Sequence, residues 1–325
     1  MLGACGSSTS VEPVDTADRL AVFDRVHADV EAKYSYFDRA LVDWTAVRAS
    51  YRDSVVMAVS RNDADRYIGR MVQRLFDYHA AFLTPNGSYY APPIRYERHF
   101  DVNLVFSRYV GPPRYTTSRR IRFGRLGSDL GYVGIQDFGG SSWGNEIDEA
   151  LAGIGSVRAL IIDVRDNGGG DESIARVIAS RFYDRSRTYR VSQFRAGGGR
   201  MDFAAPINVS LEPAGAQRFT GPVVVITNRF NGSSAEDFIC MMRILPQVTT
   251  LGDTTIGNGS NPLNIDYGTG YGLRIPQSRQ STPDGFVYQY VGLPPRVPVR
   301  WTVSDTTGGR DPYLDAAMAL LRGGT

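Results

Sequence analysis

At 325 residues, with 42% hydrophobic content and a formal net charge of +2, the chain can bury one substantial core and a smaller satellite. The balance of 36 Lys+Arg against 34 Asp+Glu gives no electrostatic case for nucleic acid, and no apolar run approaches the roughly eighteen residues a membrane-crossing helix needs. The two cysteines, Cys5 and Cys240, offer no disulfide framework, and no Cys/His cluster has metal-ligand spacing, so neither a metal nor another cofactor is expected.

The chain opens on Leu2-Gly3-Ala4-Cys5, which resembles the bacterial lipobox, where a leucine and two small residues precede a cysteine that becomes lipid-modified. Gly6 to Ser10 would form a flexible tether. On this reading residues 1–12 attach the protein to a membrane through Cys5, and its place is the bacterial cell envelope, periplasmic or membrane-anchored. Residues 13–92 then read as a helical domain. Leu20, Phe23, Val26, Val30 and Tyr34 form one apolar stripe, Trp44 and Val47 to Tyr51 a second, and Tyr67, Met71, Leu75 and Tyr78 a third. Pro85, Asn86, Gly87, Pro92 and Pro93 mark a boundary. A β-rich lead-in is expected over 93–130, where Arg119, Arg120, Arg122 and Arg125 alternate as on an exposed strand.

From Gly131 to the end, strand and helix patterns alternate, as in an α/β core spanning 131–325. Tyr132 to Phe138 and Ala159 to Val164 read as strands, Glu146 to Ile154 and Ser173 to Phe182 as helices. The second strand opens onto Arg165-Asp166-Asn167-Gly168-Gly169-Gly170. Three consecutive glycines cost backbone entropy, which a turn bringing bare N–H groups up to a ligand or reacting carbonyl would explain. Neither phosphate-loop glycine pattern is met. Further on, Val223 to Ile226 reads as a buried strand, Thr227 to Gly232 as a loop, and Ala235, Phe238, Ile239 and Met242 as a helix that starts at Ser233 or Ser234. A serine there is either an N-cap or a nucleophile whose oxyanion the helix start would receive. Cys240, among Phe238, Ile239, Met241 and Met242, reads as a buried thiol.

Taken in order, these motifs resemble the tail-specific, or C-terminal processing, serine peptidases. The matching residues are Val164 to Gly170 for a strand with an L-R-x-N-x-G-G turn and Ser233-Ser234-Ala235-Glu236 for a serine three residues before a glutamate. Gly292 to Arg296 and Gly309-Arg310-Asp311-Pro312 complete the set, so that the likeness spans about residues 130 to 325. It implies a Clp protease/crotonase-like α/β spiral core. One branch of the family sets a lysine base in a G-K-G turn, but that turn here is Gly257-Asn258-Gly259, and the single lysine of the chain is Lys33. No stretch between His79 and Gly131 resembles a PDZ domain. The other branch, represented by the tricorn protease core and the interphotoreceptor retinoid-binding modules, uses a histidine from before the core. Of His27, His79 and His99, only His79, in Leu75 to Leu83, matches that branch's L-x-D-G-H-T segment.

The resemblance implies Ser233 as nucleophile and His79 as general base. The N–H of Ser234 and one from Gly168, Gly169 or Gly170 would form the oxyanion hole. The third catalytic position, a glutamate in the branch, is Gln289 here, which can hydrogen-bond but cannot offset an imidazolium charge. The expected activity is serine endopeptidase cleavage of a polypeptide substrate, on unstructured protein segments or tails. The alternatives are a catalytically weakened module binding hydrophobic ligands or peptides on the same fold, and a crotonase-like acyl enzyme using the oxyanion hole alone.

Overall fold

The computed structural model describes residues 16–92 and 96–323; Cys5 with its tether, and Pro93 at the expected boundary, lie outside them. The elements follow in the order α1 (Thr16–Lys33), α2 (Trp44–Val56), α3 (Arg61–Gln73), β1 (Ala81–Thr84), β2 (Gly87–Tyr90), α4 (Val102–Leu104), β3 (Arg114–Tyr115), β4 (Ile121–Leu126), β5 (Leu130–Ile135), α5 (Glu146–Ile154), β6 (Ala159–Asp163), α6 (Glu172–Ala179), β7 (Arg187–Phe194), β8 (Ile207–Leu211), β9 (Val223–Thr227), α7 (Ser234–Arg243), β10 (Val248–Gly252), β11 (Pro262–Gly268), β12 (Tyr271–Pro276), β13 (Ser278–Ser281), β14 (Val297–Pro298), α8 (Val303–Thr307) and α9 (Pro312–Leu321). They form two compact units.

The first unit joins the N-terminal region to Arg195–Phe203 and Pro262–Ser278. Its helices bury part of the stripes expected of them, Phe23, Val26 and Val30 from α1, Trp44 and Val47 from α2 and Met71 from α3, while Val55, Ile68 and Val72 are buried besides and Leu20, Tyr51 and Tyr67 are only half-buried. Asp43 caps α2 by accepting from the Ala46 N–H, and Ser60 caps α3 by accepting from that of Asp63. The helical reading of residues 13–92 fails in its last part. Helix α3 ends at Gln73, and Ala81–Thr84 is a strand in an antiparallel sheet ordered β11-β12-β1-β2. Its partner supplies the reason: Ala81 pairs with Arg274 and Leu83 with Gly272, residues far off in the chain. Pro85 and Asn86 are the hairpin turn between β1 and β2.

The second unit takes the described residues 96–194, 204–261 and 279–323, so the contiguous core expected from residue 93 onward is interrupted twice. Its main sheet is ordered β14-β10-β9-β6-β5-β4-β3. Strands β5, β6, β9, β10 and β14 are parallel; β4 runs antiparallel to β5, and β3 to β4. The continuous apolar runs of β6 and β9 follow from burial on both faces. Leu160, Ile162, Val223 and Val225 pack with Ile147, Ile174, Ile178 and Phe238 of α5, α6 and α7. Ile161, Val224 and Ile226 face Tyr313, Leu314 and Ala317 of α9. The lead-in is less β-rich than expected: after the short α4, Val105–Val110 forms a π-helical turn, and only β3 and β4 are extended. In β4 the alternation holds, with Ile121 and Phe123 buried and Arg122 half-buried.

Candidate active site

Strand β9 ends at Thr227, and α7 starts at Ser234, which puts Ser233 in the N-cap position. Ser233 does not act as a cap. Its backbone has φ 54° and ψ −132°, and its side chain makes no capping hydrogen bond. A non-glycine residue held in such a region costs on the order of 1–3 kcal/mol and persists only where its surroundings impose it. Here they do: the Ser233 N–H donates to the Asn258 carbonyl at 3.1 Å, and the Ser233 carbonyl accepts from the N–H groups of Glu236 at 2.8 Å and Asp237 at 3.2 Å. Ser233 is half-buried, whereas Ser234 is buried and its hydroxyl donates to the Gly170 carbonyl at 2.8 Å. Of the two serines the sequence left in competition, one hydroxyl is committed to the scaffold and the other is not.

The glycine turn lies against this serine. A Cβ on Gly169 (φ 107°) would come within 2.7 Å of the Gly232 carbonyl oxygen and 2.8 Å of Ser233 Cβ; one on Gly170 (φ 142°) would strike the Phe138 backbone at 2.2 Å. The glycines therefore permit close approach as well as an unusual φ. Their N–H groups are not equivalent. That of Gly169 donates to Asn167 Oδ1 at 2.9 Å, while those of Gly168, Gly170 and Ser234 have no acceptor among the described residues. An oxyanion at this turn would draw on the latter three.

Asparagines that the sequence reading passed over tie the two strand-end loops together. Asn231 Nδ2 donates to the carbonyls of Val164 (2.5 Å) and Asn167 (3.1 Å), and its Oδ1 accepts from the Asn228 N–H at 2.7 Å. Asn228 in turn exchanges two bonds with Asp166, which sits at φ 62°. Behind the turn, the guanidinium of Arg165 is fully buried between the carboxylates of Asp163 and Asp311. Asp311 also caps α9, accepting from the N–H groups of Tyr313 and Leu314. The Arg-Asp-Asn-Gly turn and the late Gly-Arg-Asp-Pro motif are thus the two halves of one ion-pair cluster.

Gln289 is also buried in this unit, in a turn fastened to residues 255–257. The Tyr290 N–H donates to the Gly257 carbonyl at 2.7 Å, the Thr255 N–H to that of Leu293 at 3.2 Å. A Cβ on Gly257 would meet the Gly292 nitrogen at 2.6 Å. The segments carrying Gln289 and Asn258 are therefore packed backbone to backbone, and Asn258 holds the Ser233 N–H.

His79 belongs to the first unit, in the turn between α3 and β1. Asp77 shapes that turn: its carboxylate accepts from the His79 N–H at 2.8 Å and from the Tyr34 hydroxyl at 2.8 Å. The ring is buried, with no hydrogen-bond partner at Nδ1 among the described residues. Burial, and secondarily the charge of Arg274, pushes its pKa down to about 3. The imidazole is therefore neutral at physiological pH. The other two histidines stack on tryptophans, His27 on Trp44 and His99 on Trp301, consistent with packing roles. Burial also raises the thiol pKa of Cys240, an inert core thiol. Among the described residues no group of histidine, cysteine or carboxylate side chains could hold a metal ion, and no helix is long and apolar enough to cross a membrane.

The second unit, with parallel strands whose ends present a glycine turn and a helix-heading serine, has the Clp-like/crotonase-like α/β fold of serine-type peptidases. The chain belongs to peptidase family S41, whose family model matches residues 129–299. It is 27% identical to the tricorn protease of Thermoplasma acidophilum over 209 residues, which are 63% of this chain and 18% of that protein. It is 22% identical to the carboxy-terminal processing protease CtpA of Bacillus subtilis over 200 residues, 61% of this chain and 40% of that one. The chain thus spans less than half the length of these curated relatives. A crystal structure of a candidate peptidase from Parabacteroides merdae is similar over 95% of this chain and 97% of its own, with a TM-score of 0.83 and 27% identity.

Proposed function

We propose that the protein is a serine endopeptidase that cleaves unstructured polypeptide segments or tails through an acyl-enzyme, with Ser233 as nucleophile and His79 as general base. One observation carries the reading above all: Ser233 heads α7 in a strained conformation with its hydroxyl unused as a cap, beside N–H groups that have no acceptor among the described residues. Ser233 Oγ adds to the scissile carbonyl carbon while its proton passes to His79. The tetrahedral oxyanion takes hydrogen bonds from Ser234 and from Gly168 or Gly170. The C–N bond then breaks as the proton moves on to the leaving amine, and water releases the acyl group by the same steps. Each oxyanion donor would be worth about 2.7–4 kcal/mol of barrier. His79 receives its role from the sequence motif; Gln289 would orient it without charge. The preference for tails is carried over from the relatives named carboxy-terminal processing proteases, and a lipid anchor at Cys5 in the cell envelope remains part of the proposal.

A fluorophosphonate probe tests the assignment. Labelling should vanish in Ser233→Ala, and peptide hydrolysis should fall by at least about a hundredfold in His79→Ala. Labelling that persists in the first variant, or hydrolysis unchanged in the second, sinks it. A second reading, a weakened module that binds hydrophobic ligands or peptides, is favoured by the amide of Gln289 and the depressed pKa of His79. It predicts no hydrolysis of any peptide, with ligand binding retained in Ser233→Ala.

A further inference from the structure

Glu236 lies one helical turn past Ser233 and is completely buried, an expensive place for a carboxyl group with no ion-pair partner among the described residues. Both of its oxygens accept hydrogen bonds. Oε1 accepts from the Thr255 hydroxyl and from the Gly257 N–H at 2.8 Å, and Oε2 from the Asn258 N–H at 2.7 Å. The carbonyl of that same Asn258 takes the Ser233 N–H. Thr255 Oγ1 passes the connection on by accepting from the Leu293 N–H at 2.8 Å, in the segment that follows Gln289. A closed ring results: Ser233 to Asn258 to Glu236, and back through the first turn of α7. Apolar packing could fill the same volume, so the carboxylate must be explained by what its acceptors hold.

We infer that Glu236 is a positioning residue, whose carboxylate clamps the 255–258 turn so that the Asn258 carbonyl holds Ser233 in its strained, reactive backbone conformation. The inference rests on the reading of Ser233 as nucleophile. Burial pushes the Glu236 carboxyl up to about 7, with the three donors pulling the other way and the neighbouring Asp237 adding to the rise. The donors lie on residues 255, 257 and 258 and the reacting serine on residue 233, so no single stretch of sequence contains the device.

The test compares wild type with Glu236→Gln, which keeps the shape but presents an N–H2 to donors that need an acceptor. Two readouts are taken. The amide exchange rates of Ser233, Gly257 and Asn258 should rise at least about tenfold while those of β6 and β9 stay unchanged, and the rate of Ser233 labelling by fluorophosphonate should fall about tenfold or more with KM for a peptide little altered. If Glu236→Gln does not fold, Thr255→Val removes one of the three donors. It should slow labelling about threefold, and Thr255→Ser should recover most of that loss. Unchanged exchange at the three amides, or a rise spread evenly over the whole unit, overturns the positioning role. If wild-type Ser233 does not label at all, the peptidase reading fails, while the exchange measurement still decides what Glu236 holds.

Discussion

Replacing Arg165 by methionine probes the cluster beneath the glycine turn. The guanidinium has no exposed surface; Nε donates to Asp163 Oδ1 at 3.0 Å, Nη2 to Asp163 Oδ2 at 2.6 Å, and Nη1 to Asp311 Oδ1 at 3.0 Å. The ring of Phe100 lies 4.7 Å from the cation, and the Tyr132 hydroxyl donates to Asp163 Oδ2 at 2.9 Å. One positive and two negative groups give the cluster a net charge of −1, so its members are not equally costly to lose. Methionine would leave two carboxylates buried together without a cation, and a loss of about 3–5 kcal/mol is expected. Asp311→Asn would leave a neutral Arg165–Asp163 pair, with an amide oxygen still able to cap α9. That change should cost only about 1–2 kcal/mol. The loss in Arg165→Met should shrink as pH falls and the stranded carboxyls protonate. Urea titrations of wild type and both variants at pH 7 and pH 5 measure all three effects. A loss below about 1 kcal/mol in Arg165→Met, or a larger loss in Asp311→Asn, would refute the reasoning.

Gly169→Ala should destabilise the second unit by about 1–3 kcal/mol and reduce Ser233 labelling more than that loss accounts for, since the new methyl meets Gly232 and Ser233; wild-type labelling would contradict the packing. His79 has a folded pKa of about 3 against an ordinary 6.5, so the folded state binds fewer protons than the unfolded one. The first unit should lose stability as pH falls from about 6.5 toward 3, by up to about 5 kcal/mol, and His79→Leu should flatten that slope in thermal melts. Glu236 runs the opposite way: with its folded pKa raised to about 7, its contribution is fully present below about 4.5 and lost as pH rises through 7. Glu236→Gln should remove that slope, and a variant that kept it would show that another group is responsible.

The sequence made the main strands and the serine pair at the head of α7 legible because both are local. Strand β6 and strand β9 announce themselves as short apolar runs since both faces are buried, and α5 was read with its observed ends because its stripe and its flanking glycine lie within one segment. Strand β1 was missed for the converse reason. Ala81-Phe82-Leu83-Thr84 continues a helical pattern by composition, and only pairing with β12, far along the chain, makes it extended. The same holds for the division into units, where the β11–β12 hairpin joins residues that precede it by most of the chain.

Within the site, the ambiguity between Ser233 and Ser234 shows where composition stops informing. A capping serine and a nucleophilic serine occupy the same place before a helix, and the distinction lies in backbone torsion and in what the hydroxyl does. The torsion of Ser233 is imposed from outside its own segment, by the Asn258 carbonyl and the glycine turn. Asn167, Asn228 and Asn231 are all buried: Asn228 and Asn231 spend their amides holding one loop to the other, while Asn167 accepts from the Gly169 N–H of its own turn and donates to the Ile135 carbonyl. Short polar side chains of this kind carry no hydrophobic period, so pattern reading cannot see them. Their work becomes visible only as a set of donors and acceptors that close on each other. The reactivity proposed for Ser233 is therefore a property of that closed network, and changes at Asn231 or Glu236 should act on the serine without touching its side chain.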